Sequence, residues 1–125
     1  MNNVAYFEIQ SSDPEKTISF YEAVFGWQFV KEALMPINYW QITGADINGG
    51  LLERPAEVPP LESGSNAFVC SMQVEDFDAT AAKIFAQNGL VALDKFAVPG
   101  KCWQGYFTDT DQNTFGIFQV DENAA

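Results

Sequence analysis

The sequence predicts an α+β fold built from two βαβββ modules in tandem. Three observations carry that expectation. A short helix with both ends specified, DPEKTISFYEAVFG from Asp13 to Gly26, is matched by a second, DFDATAAKIFAQNG from Asp76 to Gly89. The offset between them is 63 residues, close to half of the 125 in the chain, and it also sets Trp40-Gln41 on Trp103-Gln104 and the apolar run from Val4 on the run from Ala67. A fixed offset at three separate places is the mark of an internal duplication. Between the halves, Arg54 to Asn66 holds Pro55, Pro59, Pro60, Ser63, Gly64 and Ser65, a run of turn formers that reads as a linker. The chain therefore reads as one domain, 1–125, with module 1 over about 1–54, a linker at 55–66 and module 2 over about 67–120.

Taken in order, Val4 to Gln10 alternates as a strand, with Val4, Tyr6 and Glu8 pointing one way and Ala5, Phe7 and Ile9 the other. Asp13 is a good N-cap, and Pro14 follows at the first helical position, where its missing N–H costs nothing. Ile18, Tyr21 and Phe25 recur at helical spacing as the apolar face, and Gly26 sits where a left-handed cap is wanted. Trp27–Glu32, Ile37–Thr43 and Asn48–Arg54 read as three strands, the last entered through Gly49-Gly50. The second half repeats the order: strand Ala67–Val74, helix Phe77–Asn88, strands Leu90–Val98 and Cys102–Thr108, a turn at Asp109–Asn113 and a last strand Thr114–Val120. The tail DENAA reads as frayed. Neither half can close a core alone, which requires the two to pair their sheets.

Composition narrows the function. Hydrophobic residues make up 47% of the chain and aromatic residues 14%, which excludes a disordered chain. The net charge is −11 and histidine is absent. So acidic a chain is repelled by phosphate backbones and anionic lipid, which excludes nucleic acid and membrane surfaces as partners. No stretch is long and apolar enough to span a bilayer, and MNNVAYFE lacks the basic start of a signal peptide, so a cytoplasmic location is expected. Cys70 and Cys102 fit reduced thiols better than a disulfide framework.

The motifs DPEKTISFYEAVFGW and DTDQN before FGIFQ, in two βαβββ modules, resemble the vicinal oxygen chelate superfamily of glyoxalase I, bleomycin-resistance proteins, fosfomycin-resistance enzymes and extradiol dioxygenases. The similarity is greatest to short proteins related to lactoylglutathione lyase. It covers nearly the whole chain. It implies a curved, incomplete barrel-like mixed sheet with helices outside, a cavity between the modules, and a homodimer. In metal-using members each module gives two ligands to one divalent ion, from its first and last strands. Carried onto this sequence, those positions are Tyr6, Val69 and Gly116, with Glu53 following from Gly116 by the offset. Only Glu53 ligates well, and a catalytic zinc site wants about three His, Glu or Cys ligands. The expectation is no metal and no cofactor.

The candidate residues each carry two readings. Glu53 is either a metal ligand or general base, or a solvated charge beside Arg54. Glu8 shares a strand face with Tyr6; lining an apolar cavity, its pKa would rise and make it a proton acceptor, and at a dimer rim it would be paired or wet. Tyr6 offers a hydroxyl to a ligand or packs as an ordinary aromatic. Trp40 and Trp103 fall at equivalent places in the two halves and suit either a flat ligand or the core. Cys70 and Cys102 lack a histidine base for nucleophilic chemistry. Asp109, Asp111 and Asn113 are turn formers with too few oxygens for calcium. Gly49-Gly50 is followed by no Lys-Ser/Thr and is not a phosphate loop.

The expected function is metal-free binding of a small organic molecule in the inter-module cavity, lined by Tyr6, Glu8, Glu53, Val69, Gly116, Trp40, Trp103 and Phe118. The alternative is a lyase, isomerase or dioxygenase-like enzyme using Glu8 or Glu53. A load of 11 phenylalanines and 3 tryptophans in so small a chain adds to the expectation of a homodimer.

Overall fold

A computed structural model describes residues 6–54 and 69–125. The expected linker at 55–66, and the starts of the strands expected from Val4 and Ala67, lie outside the described residues. The chain divides into two compact units, 1–64 and 65–125.

The first unit runs β1 (Tyr6–Ser11), α1 (Pro14–Phe25), β2 (Gln28–Lys31), β3 (Tyr39–Thr43) and β4 (Asn48–Glu53). The second runs β5 (Ser71–Gln73), α2 (Phe77–Ala86), β6 (Leu90–Val98), β7 (Cys102–Thr108) and β8 (Thr114–Val120). Each forms one four-stranded mixed sheet, ordered β1-β4-β3-β2 and β5-β8-β7-β6. In both, the first strand runs parallel to the last and the other pairs are antiparallel. The α+β class and the tandem βαβββ modules expected from the sequence are what the chain adopts.

The helices start as their caps dictate. Asp13 accepts from the Lys16 amide at 3.3 Å and Asp76 from the Ala79 amide at 2.9 Å. Gly26 closes α1 with φ of 71°, the left-handed conformation that a Cβ would strain. The second copy departs from this pattern. There the left-handed residue is Asn88, with φ of 68°, and Gly89 follows it packed against Ile84. Asparagine tolerates this region because its short polar side chain bonds locally.

The buried face of α1 is Thr17, Phe20, Tyr21 and Val24. It is rotated from the expected Ile18–Tyr21–Phe25 stripe, because Thr17 can be buried once its hydroxyl meets Ser11 Oγ at 2.6 Å. Around Tyr21 the first core is aromatic: the ring stacks on Trp27 at 5.3 Å, and Phe7 meets Trp27 at 5.6 Å. The second core joins Phe77, Phe107 and Phe115 with Ile84 and Ile117.

The C-terminal tail is docked rather than frayed. Asp121 N–H donates to the Lys101 carbonyl and Gly100 N–H to the Ala124 carbonyl, each at 2.9 Å, and Ala124 is buried. These bonds hold the tail on the β6–β7 turn, which sequence position alone does not reveal. Among the described residues no helix is long and apolar enough to cross a membrane.

Candidate functional site

Strand alternation divides the first sheet into two faces. Register places Phe7 beside Gly49 and Ile9 beside Leu51, with Ile42 and Trp40 completing the helix side. The other face carries Tyr6, Glu8 beside Gly50, and Gln41 and Tyr39 from β3. On that second face Tyr39 donates its hydroxyl hydrogen to Glu8 Oε2 at 2.8 Å and lies 2.5 Å from the Tyr6 hydroxyl. A phenol has one proton to give. With that of Tyr39 committed to Glu8, Tyr6 is the donor in the contact between the phenols.

The cluster exists because the middle strand carries glycine. A Cβ at position 50 would fall on the hydroxyl and ring of Tyr39. Glycine leaves an open floor across which a β3 side chain reaches a β1 side chain. Tyr39 is buried, at 6% exposure, whereas Glu8 is exposed. Burial is the main reason the Tyr39 phenol is held well above the usual tyrosine range; its hydrogen bonds to Tyr6 and Glu8 and the neighbouring carboxylate add to it.

The second sheet repeats the device with different chemistry. Ser71 lies beside Gly116, Gln104 faces Phe118 and Tyr106 faces Gly116. Gln104 Nε2 donates to Ser71 Oγ at 3.2 Å. A Cβ at position 116 would meet Ser71 Oγ, Gln104 Nε2 at 2.8 Å and Tyr106 Cε1 at 3.0 Å. By register, Glu8 corresponds to Ser71, Tyr39 to Gln104, Gln41 to Tyr106, Gly50 to Gly116 and Leu52 to Phe118.

That correspondence corrects the fixed offset. Gly50 lies 42 positions after Glu8, whereas Gly116 lies 45 after Ser71, so the second module has three extra residues between its first and last strands. The counterpart of Gly116 is Gly50, not Glu53. Glu53 is paired with Ser11 on the helix side of the register, at the far end of β4 from Tyr6, and accepts from Asn38 Nδ2 at 2.7 Å. A slip of two, already present at the third strand of each module, separates the two tryptophans. Trp40 faces Leu51, whose counterpart Ile117 faces Gly105, while Trp103 faces Gln119.

Both tryptophans lie on helix-side register positions. Lys31 Nζ sits 5.3 Å from the Trp40 ring. Trp103 donates Nε1–H to Asp121 Oδ2 at 3.0 Å and carries Lys95 over its face at 4.9 Å. Val69 precedes β5 and is 41% exposed. In the first module, then, the structure brings Tyr6 and Glu8 together, and in the second it sets Gly116 and Phe118 on one face. The sequestration from water expected of Glu8 falls on Tyr39 instead. Tyr39, Gly50, Ser71, Gln104 and Tyr106 escaped sequence reasoning. Their signal is a swapped pair, Tyr39-Trp40-Gln41 against Gln104-Gly105-Tyr106, legible only at an offset of 65.

Two mixed βαβββ sheets, each with a glycine-floored polar bridge on the face away from its helix, define a tandem-module fold of the glyoxalase type. The chain belongs to the Glyoxalase/Bleomycin resistance protein/Dioxygenase superfamily, whose family model matches residues 3–117. Among solved structures it is similar to hypothetical protein SA1046 from S. aureus, with 20% identity, TM-score 0.73, and coverage of 96% of this chain and 99% of that one. A glyoxalase/bleomycin resistance protein/dioxygenase family enzyme from Burkholderia phytofirmans PsJN gives 17% identity, TM-score 0.76, and coverage of 95% and 99%. The fosfomycin resistance protein FosX from Listeria monocytogenes gives 15%, 0.77, and 97% and 93%. No curated protein matches the chain.

The metal used by part of this family does not fit these residues. With the register corrected, the four ligand positions hold Tyr6, Gly50, Val69 and Gly116, of which only the phenol has a side-chain donor atom. At Gly50 the Tyr39 hydroxyl already occupies the space a ligating side chain would need. Among the described residues no three His, Cys, Asp or Glu side chains gather as a metal set.

Proposed function

We propose that this protein binds a small organic molecule without a metal, and that the Tyr6–Tyr39–Glu8 face of the first module contacts it. The observation that carries the reading is the hydrogen-bonded cluster over Gly50. It comprises an exposed carboxylate oriented by a buried phenol, on the sheet face that the helix leaves uncovered. The FosX relative is described in complex with Mn(II) and a dihydroxypropylphosphonic acid. The loss of ligating side chains here supports binding by hydrogen bonds instead. In this reading 1–125 acts as one cytoplasmic domain and as a homodimer. Exposed Leu90, Val91 and Leu93 on the edge strand β6 support the dimer. A thermal-shift screen of cationic, neutral and anionic aromatic compounds tests the binding, because a ligand of the folded form raises its melting temperature. A screen in which no class shifts the transition refutes it.

A lyase or isomerase with Glu8 as proton acceptor is the second reading. The observation favouring it is the chain of two phenols ending on a carboxylate, which can pass a proton along its hydrogen bonds. Turnover that disappears in Glu8→Gln while ligand affinity persists would select this reading.

A further inference from the structure

We infer that the first-module face selects a ligand presenting a protonated amine, and rejects acceptor-only anions such as phosphonates and carboxylates. The inference rests on the binding role proposed for that face and names its chemistry. Tyr39 spends its proton on Glu8, so Tyr6 spends its own on Tyr39. Both phenol protons point inward, toward the carboxylate. What this cluster itself leaves for a ligand is the lone pairs of Tyr6 and the second oxygen of Glu8, all of them acceptors. An ammonium group has three donors and no acceptor, the complement of that set.

Charge points the same way. No basic side chain pairs with the Glu8 carboxylate among the described residues. Of the cations on this sheet and its end, Lys31 is held over Trp40 on the helix side and Arg54 Nη2 donates to the Gln10 carbonyl. Glu8 is thus an exposed carboxylate with one oxygen anchored, and the chain around it carries a net charge of −11. The half-exposed ring of Tyr6 adds an aromatic face that attracts a cation. Gln41, facing Gly50 from β3, and Gln10 and Asn48 on the same register positions of β1 and β4 each have both donors and acceptors, so they favour neither sign of ligand.

Titration calorimetry of the full chain with four probes of one shape tests this: benzylamine at neutral pH, benzyl alcohol, benzoate and benzylphosphonate. The expected order is benzylamine binding at least roughly tenfold more tightly than benzyl alcohol, as one charge-assisted hydrogen bond allows, with neither anion bound. Glu8→Gln, at an exposed position where the fold is retained, should bring benzylamine down to the level of the alcohol. Tyr6→Phe, which keeps the carboxylate, should cost less than Glu8→Gln. The inference is overturned if either anion binds as well as the amine, if Glu8→Gln leaves amine affinity intact, or if no probe binds. Binding of the alcohol or the anions without the amine would sink this inference and leave the proposed binding role standing. Failure of the wider ligand screen is what sinks that role.

Discussion

Gly50→Ala tests the bridge over the middle strand. In an ordinary strand, replacing glycine with alanine is favourable by roughly 0.5–1 kcal/mol, because alanine loses less freedom on folding. Gly50 is buried and does not have a positive φ, so the backbone would accept alanine without strain. The new Cβ, however, falls on the Tyr39 hydroxyl and ring. Tyr39 is 6% exposed and cannot swing into solvent without giving up its packing and its bonds to Glu8 and Tyr6. Overpacking of this kind costs about 1–3 kcal/mol. The net expectation is a loss of about 1–2 kcal/mol, from the same two sources. Urea denaturation followed by fluorescence measures it. The decisive comparison is Gly50→Ala in a Tyr39→Ala background, where the obstructing side chain is gone and the loss should vanish or change sign. An equal loss in both backgrounds, or a Gly50→Ala protein more stable than the parent, would refute the idea that glycine is there to make room for Tyr39.

The alkaline titration of tyrosinate absorbance should show a late-ionising phenol that is lost in Tyr39→Phe. Because folding raises this pKa above the ordinary value near 10, the associated stability is complete below that pH and is lost as pH climbs through the folded-state value. Protein purified and exposed to zinc, nickel or manganese should retain no stoichiometric ion, and chelators should leave its melting temperature unchanged; tight retention would contradict the ligand positions assigned here. Deleting residues 121–125 should lower stability by about 1–3 kcal/mol, since it removes the bonds to the β6–β7 turn and the acceptor of Trp103, and an unchanged denaturation midpoint would show the tail to be loose.

The fold was legible because its signals are local. Asp13-Pro14 and Asp76 declare helix starts from side-chain chemistry alone, and both caps form as read. Strands bounded by turn residues, such as Cys102–Thr108 before Asp109–Asn113, also carry their limits in the sequence. What was not legible depended on register between distant strands. Nothing near Glu53 shows that it faces away from Tyr6, because three residues gained between β5 and β8 move every last-strand equivalence. Thr17 illustrates a different blind spot: a polar residue is buried when a partner six positions earlier satisfies it, and apolar periodicity cannot see that.

Once the slip of three is allowed for, Gly50 and Gly116 fall at one register position in the two modules. A single glycine on a middle strand is ambiguous, since it could mark a bulge, a bend or simple permissiveness. Two glycines at one register position, each with a side chain from the third strand reaching a side chain on the first, admit a narrower explanation. The missing Cβ makes room for a cross-strand polar bridge. The bridges then differ where chemistry is at stake. Tyr39 and Glu8 make an anionic, acceptor-rich bridge, whereas Gln104 and Ser71 make a neutral one. A shared backbone device with unlike end groups implies that geometry and charge are set by different residues. Substituting the end groups should therefore retune ligand preference and leave the fold intact, and substituting the glycines should disturb the fold first. Exchanging the pair, with Glu8→Ser and Tyr39→Gln, puts the second module's neutral bridge into the first. If that protein keeps its stability but loses its preference for ammonium ligands, charge resides in the end groups; if it unfolds, the two functions are not separable.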